Sequence, residues 1–139
     1  MVTFLLDRIK SVYGLASTTL TATTETSTAA VDRTGFRSAL IIVKNGVSSG
    51  NTLTFKLYDG ATSSPATAVT LDVTPATIDT TAVGQTIYQV DLTGLNKYFK
   101  ATVTPGTATS VTFDVDIVLG DAAIDPASGT AVIPVRKAL

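Results

Sequence analysis

Apolar and polar residues alternate along most of this chain, and the alternation is clearest between residues 86 and 121. In Val111–Leu119 every second residue is apolar, and the residues between them are mostly threonine and aspartate. A period of two is typical of a β-strand with one buried and one exposed face. The same period surrounds Phe99 and Val90, so this stretch predicts three strands. The turn signals between them are Thr93-Gly94 and Pro105-Gly106.

An ordered set of motifs occurs twice in the chain. The sequence V-D-x-T-G followed by a large apolar residue begins at Val31 and again at Val90, and each copy precedes a predicted strand. A second strand follows, in which Leu53–Leu57 matches Val111–Val115. We interpret the shared order as an internal pseudo-repeat. We expect each VDxTG segment to end a strand and open a turn, with glycine supplying a positive φ, rather than to form a binding loop.

The remaining strands are predicted from shorter runs. Arg37–Lys44 contains five consecutive apolar residues, Ala39–Val43, and we expect a central strand that is covered on both faces and suits a subunit contact. The threonine-rich stretch 17–30 is expected to be an edge strand, on which Glu25 discourages further pairing. Further strands are predicted at Thr52–Tyr58, Ala68–Val73 and Ile78–Val83.

Composition supports the same fold class. Hydrophobic residues make up 45% of the 139 residues, charged residues only 15%, and threonine about a fifth. Val, Ile and Thr pack well on pleated sheets, and the length suffices for one domain with a core. We predict an all-β protein with a single antiparallel β-sandwich, for which a jelly roll is one form. The sandwich is expected to span residues 17–121, between an N-terminal segment (1–16) and an extended C-terminal tail (122–139).

Both ends of the chain have apolar side chains that need cover. Near the N-terminus these residues recur at a helical period, so residues 1–16 are expected to form either a short helix or an extended arm, lying on the sandwich edge or on a partner chain. In the tail, Pro126 and Pro134 exclude a regular helix, and we expect an extended arm with one short strand. The candidate interface residues are Phe4, Leu5, Ile9, Val132, Ile133 and Val135.

The absence of certain residue types excludes several kinds of catalytic and metal-binding site. The chain contains no cysteine, histidine or tryptophan, which removes disulfides, Ser–His–Asp and Cys–His catalysis and the usual zinc ligand sets. Asp114 and Asp116 share a strand face near Asp121 and Asp125, a pattern that can bind a hard cation. We favour a solvated strand face, because the calcium-loop motif is missing. We therefore expect no enzymatic activity, no cofactor and no metal site.

The net charge and the lengths of the apolar runs limit the kinds of partner that we expect. The net charge is −1 and no basic block occurs, so a nucleic-acid partner is not expected. No apolar run is long enough to span a bilayer, and the first residues, MVTFLLDRIK, are interrupted by charges. We therefore expect neither a membrane partner nor a secretory signal.

Four ordered segments share a pattern with a known group of proteins: AVDRTGFRSALIIVKNG, NTLTFKLYDG, VDLTGLNKYFKATVT and VLGD. Together they resemble small structural proteins encoded among the head genes of tailed bacteriophages. That family's pattern reads VD-x-x-GF-x-SA early and VDL-x-GL-x-RY late, followed by VLGD. The resemblance covers residues 20–121. The chain departs from the pattern at Lys97, where the family has arginine, and in its unusual C-terminal extension.

The resemblance implies a virion component on the capsid surface, namely a decoration or cement protein bound to the major capsid protein, and it implies no catalytic residues. Capsid cement acts in many copies, so we expect a homo-oligomer, dimer or trimer, with the terminal segments as arms. The alternative is a tail- or fibre-associated module that recognises a host surface. Receptor binders expose aromatic side chains, and here only Tyr13 and Tyr58 are candidates.

Overall fold

The fold is seen in a computed structural model, which describes residues 9–48, 50–69, 77–107, 109–120 and, for the backbone only, 132–135. No helix occurs within these ranges. The strands are β1 (Ile9–Leu20), β2 (Thr26–Ser27), β3 (Val31–Asp32), β4 (Ser38–Asn45), β5 (Thr52–Gly60), β6 (Thr67–Val69), β7 (Thr77–Asp79), β8 (Gly84–Asp91), β9 (Tyr98–Pro105), β10 (Val111–Gly120) and β11 (Val132–Val135).

The strands form two sheets. Sheet A has the order β1-β10-β4-β8-β11, and sheet B has the order β2-β9-β5-β6, with β3 also paired to β9 and β7 to β5. Every pair is antiparallel except that of β8 with β11. The predicted all-β class with antiparallel sheets is therefore confirmed. The arrangement is consistent with a sandwich of two sheets, and the jelly roll stays a prediction.

The core consists of the alternating apolar residues that face inward from both sheets. In β10 the side chains of Val111, Phe113, Val115, Ile117 and Leu119 are all buried, as the period of two predicted. Aromatic side chains join the two sheets, because the ring of Phe55 on β5 stacks against that of Tyr88 on β8.

The pseudo-repeat is visible in the pairing of the strands. In sheet A, Ser38 of β4 pairs with Gly120 of β10, and in sheet B, Tyr98 of β9 pairs with Gly60 of β5. The two ladders are thus related by an offset of 60 residues, and all eight pairs of each ladder follow it. Each half of the chain supplies one strand to each ladder, so neither half builds a sheet alone.

The register corrects one detail of the repeat. The sequence match aligned Leu53–Leu57 with Val111–Val115, which makes Phe55 equivalent to Phe113. In the ladders, Phe55 pairs with Val103 and Val115 pairs with Val43, so Phe55 is equivalent to Val115 and the match was displaced by two residues. A slip of two residues keeps every side chain on the same face, so alternation alone cannot detect it.

The N-terminal region differs from the prediction. Residues 9–16 belong to β1, which continues to Leu20, so the helical alternative for residues 1–16 is wrong from residue 9 onward. No element boundary falls between residues 16 and 17. The predicted edge strand 17–30 is divided between the end of β1 in sheet A and β2 in sheet B.

The strand predicted at Ile78–Val83 is shorter in the structure, because β7 ends at Asp79. The carboxylate of Asp79 accepts a hydrogen bond from the backbone N–H of Thr81 at 2.9 Å.

Two irregularities shape β1. The register with β10 shifts between Val12 and Leu15 and again between Leu15 and Thr18. At the first of these, Gly14 lies so close to β10 that an added Cβ would be 1.9 Å from the carbonyl oxygen of Val115. A glycine is therefore needed here because another backbone approaches closely, not because of an unusual φ.

Candidate interface surfaces

The predicted terminal contacts lie at two separate edges of sheet A. Ile9 begins β1 and pairs with Gly120, at one edge. At the other edge, β11 pairs in parallel with β8, which sets Val132, Ile133 and Val135 beside Ile87, Tyr88 and Val90. Phe4 and Leu5 lie outside the described residues. The structure thus confirms a short strand in the tail and does not bring Ile9 together with it.

The two VDxTG turns have the same internal hydrogen bonds. Oδ1 of Asp32 accepts from the backbone N–H of Thr34 at 2.9 Å and from its hydroxyl at 2.5 Å. Oδ1 of Asp91 accepts the same pair from Thr93, at 2.9 and 2.6 Å. These bonds, the hydroxyl of Thr34 first, lower the pKa of Asp32 below its ordinary value. The aspartates thus stabilise the turns themselves, which supports the structural interpretation of the motif.

Glycine has a different role in each turn. Gly35 has a φ of 85°, and an added Cβ would have nothing within 4 Å, so the left-handed backbone is what favours glycine there. Gly94 has no positive φ, so the prediction is wrong for the second turn. The second turn is also one residue longer, since the offset is 59 at the VDxTG motifs and 60 at the strands that follow.

The two turns lie side by side at one end of the protein. Arg33 of the first turn donates from Nε to the carbonyl of Asn96 at 2.8 Å and from Nη2 to that of Leu95 at 2.5 Å. Lys97 forms an ion pair with Asp32 at 3.6 Å. Because the guanidinium is held by backbone carbonyls of the other turn, Arg33 connects the two halves of the repeat.

Asp114 and Asp116 share a lysine. Nζ of Lys44, on the neighbouring strand β4, lies 2.7 Å from Oδ2 of Asp116 and 3.5 Å from Oδ1 of Asp114. The hydrogen bond to Asp116 and the charge of Asp114 raise the pKa of Lys44. Oδ1 of Asp114 is buried with no hydrogen bond, so its contact with Lys44 is an ion pair only. Across the described part of the chain no three acidic side chains form a metal-binding group; Asp121 and Asp125 lie outside it.

An apolar surface occupies the outer face of sheet A. β4 is central in the sheet, as predicted, but its outward side chains are only partly buried, so the expectation of cover on both faces does not hold. The register places β10 and β8 on either side of it, each with one partly buried aliphatic side chain. We call this surface the outer patch, and it consists of Leu40, Ile42, Ile87 and Val118.

Only two of the four residues of the outer patch were predicted from the sequence. Leu40 and Ile42 fall in a run of five apolar residues, which predicts apolar side chains on both faces of β4. Val118 interrupts the polar side of β10 between Ile117 and Leu119, and that break in the alternation is a signal for an exposed apolar residue. Ile87 gives a weaker signal, because β8 alternates less regularly.

Sheet B presents a different outer face, which we call the basic face. It includes Lys56, Tyr58 and Lys100, and Nζ of Lys100 lies 5.3 Å from the centre of the Tyr58 ring. The hydroxyl of Tyr58 donates to Glu25 at 3.2 Å. Desolvation first, and then Glu25, raises the pKa of Tyr58. Tyr13, the other candidate aromatic, is 72% exposed on β1.

Two comparisons with known proteins, by family model and by curated sequence, found no match. No family model matches the chain, and no curated protein is significantly similar to it. A search of the described residues for a helix long and apolar enough to cross a membrane found none.

Proposed function

We propose that the protein is a structural component of a tailed-bacteriophage virion, a decoration or cement protein that binds the lattice of the major capsid protein and stabilises the head. The observation that supports this most directly is the outer patch, a set of aliphatic side chains on the outside of a sheet. A contiguous apolar patch on a protein surface marks a site of interaction with another molecule. The partners of the proposed function are the major capsid protein and further copies of the chain, without nucleic acid or membrane.

The segments that resemble phage head proteins also support the proposal through their places in the fold. The two VDxTG turns meet through Arg33, and the VLGD motif begins at Val118, at the end of β10. These residues hold the two halves of the repeat together. The resemblance therefore falls on residues that build the scaffold, which is what a shared fold without shared catalytic residues would produce.

The direct test is binding to capsids that lack the protein. Purified protein is mixed with such capsids, and bound copies are counted by gel densitometry after sedimentation. We expect saturable binding and a higher temperature of capsid disruption. A protein that stays in the supernatant at every concentration, or one found only at the tail in intact particles, contradicts the proposal.

The role of the terminal arms needs separate deletions. β1 begins at Ile9, so removing residues 2–8 leaves it whole, whereas a deletion up to residue 15 would remove half the strand. The second variant removes residues 122–139 and with them β11. An arm that binds a neighbour along a sheet edge gains main-chain hydrogen bonds, so we expect each deletion to lower capsid occupancy. Full occupancy and equal heat resistance of both variants would show that the arms do not bind.

The alternative is a tail- or fibre-associated module that binds a host surface, and the exposed ring of Tyr13 is the observation that favours it. The two proposals differ in location. Gold-labelled antibody against the protein should decorate the heads of intact particles under the first proposal and the tail tip under the second. Tyr13→Ala should lower adsorption to host cells only under the second.

A further inference from the structure

We propose that the outer patch is the contact between two copies of this chain, which pair face to face through sheet A. The inference specifies the homo-oligomer of the proposed function. Only the biological purpose of the dimer rests on the proposed function, because the contact itself is formed by the isolated protein.

The fold itself does not require aliphatic residues in the outer patch. The offset of 60 gives three of its positions an equivalent in sheet B, two on the basic face and one, Thr102, that is fully buried. Leu40 corresponds to Lys100, Ile42 to Thr102, and Val118 to Tyr58. The same backbone positions of the same ladder therefore accept polar or amphipathic side chains. Folding therefore does not require apolar residues at these positions. We attribute the aliphatic side chains of the outer patch to a contact with another molecule.

The size of the face suits a dimer. The strands β1, β10, β4 and β8, spaced about 4.8 Å apart and about 26 Å long, present a flat area of about 500 Å² per copy. Two such faces bury about 1,000 Å², which is the lower limit for a specific interface. The geometry therefore predicts a dimer that depends on concentration rather than an obligate one.

The chemistry of the face favours a second copy over a strongly charged partner. The patch is uncharged, and in the nearest charged cluster Lys44 neutralises only one of the two carboxylates of Asp114 and Asp116. Two copies can therefore approach with aliphatic side chains against aliphatic side chains, opposed only by the one excess negative charge that each copy carries beside the patch. Leu40 and Ile42 lie on the central strand, with Val118 and Ile87 on either side, so a two-fold axis near β4 places each patch on its own equivalent.

The first experiment measures the mass of the protein in solution by sedimentation velocity over a range of concentrations. The matched variant is Leu40→Lys with Ile42→Thr, which gives sheet A the residues that sheet B already has at these positions. We expect the wild type to shift from monomer to dimer as its concentration rises, and the variant to dimerise at least about tenfold more weakly. Lys56→Glu, on the basic face, is the control and should leave dimerisation unchanged.

The second experiment uses the absence of cysteine from the chain. A single cysteine introduced by Leu40→Cys can be crosslinked only between copies, and a short thiol-specific crosslinker should give a covalent dimer. Lys100→Cys places the thiol at the equivalent position of sheet B and should give little product. Circular dichroism of each variant verifies that it is folded.

Three results would overturn the inference. They are a wild type that stays monomeric at every concentration, a dimer that persists in the Leu40→Lys, Ile42→Thr variant, and a dimer that is lost in Lys56→Glu. A monomeric protein whose patch variants fail to decorate capsids would show that the patch binds another protein, so the second-copy assignment would be wrong while the proposed function stood. A dimer that never binds capsids would support the contact between two copies and contradict the proposed function.

Discussion

The rings of Phe55 and Tyr88 stack across the core with their centres 3.9 Å apart and their planes 10° from parallel. Phe55 belongs to β5 in sheet B and Tyr88 to β8 in sheet A, and both side chains are fully buried. This single contact therefore joins the two sheets. An aromatic pair of this kind adds about 0.5–1.5 kcal/mol to the stabilisation from burial alone.

Removing one ring of this pair should be among the most costly substitutions in the core. We expect Phe55→Ala to lower the free energy of unfolding by about 3–5 kcal/mol, because the cavity can collapse only in part. Thr54 directly precedes Phe55 and lies on the outer face of β5. Thr54→Ala should lower the free energy of unfolding by less than about 0.5 kcal/mol. Urea unfolding of both variants measures the difference. Equal losses would show that the stack does not stabilise the core.

Tyr88 should also make the protein sensitive to alkali. Burial raises the pKa of its phenol well above the ordinary value of 10.0. The unfolded tyrosine then loses its proton near pH 10 while the folded one keeps it, so stability is complete below that pH and falls as the pH rises above it. We expect Tyr88→Phe to flatten the loss of unfolding free energy above pH 10, measured by urea unfolding at several pH values. The lysines whose pKa is raised leave a residual slope.

Tyr58 provides the comparison for this effect. Its pKa is raised as well, but the side chain lies on the outer face of sheet B, where water screens the interaction. Tyr58→Phe should therefore change the alkaline slope much less than Tyr88→Phe does. A larger effect at Tyr58 would mean that the buried phenol is not the group that titrates with unfolding.

Gly14, the single glycine of β1, should not tolerate a side chain. An alanine Cβ there would meet the carbonyl oxygen of Val115 at 1.9 Å, so β1 would have to move away from β10. We expect Gly14→Ala to lower the free energy of unfolding by about 2 kcal/mol or more. Gly46→Ala is the control, since its Cβ would have only ordinary contacts, the nearest at 3.6 Å. Comparable losses in thermal melts of the two variants would contradict the close approach.

The alternation of residues predicted which side chains of β10 face the core, because a strand's period of two follows directly from its backbone geometry. It did not fix the register of the repeat, because a slip of two residues moves Phe55 from one equivalent to the next without changing its face. It also did not assemble the outer patch. Ile87 and Val118 come from distant segments, and only the pairing of β8, β4 and β10 brings Ile87 opposite Ile42 and Val118 opposite Leu40.

Asn51 is a position at which the two halves of the repeat differ in their polar contacts. Its offset equivalent is Val111, an apolar core residue, whereas the Asn51 side chain is itself almost fully buried and forms four hydrogen bonds. Its Nδ2 donates to the carbonyls of Thr107 and Thr109 at 3.3 and 2.7 Å. Its Oδ1 accepts from the backbone N–H groups of Thr52 and Thr107 at 2.8 and 3.0 Å. The side chain thus ties the turn after β9 to the start of β5.

Loss of this side chain should loosen the turn after β9 before it unfolds the rest. Asn51→Ala leaves four backbone groups without their partner, and we expect it to lower the free energy of unfolding by about 2–4 kcal/mol. Asn96→Ala is the matched control, because Asn96 is exposed and its side chain donates a single bond, to Asp59 at 3.0 Å. Hydrogen exchange should show the amide of Thr107 exchanging much faster in Asn51→Ala and unchanged in Asn96→Ala. If Thr107 stays protected in both, the turn is held by its backbone contacts, such as the 2.8 Å bond from Gly106 to the carbonyl of Thr52, and not by Asn51.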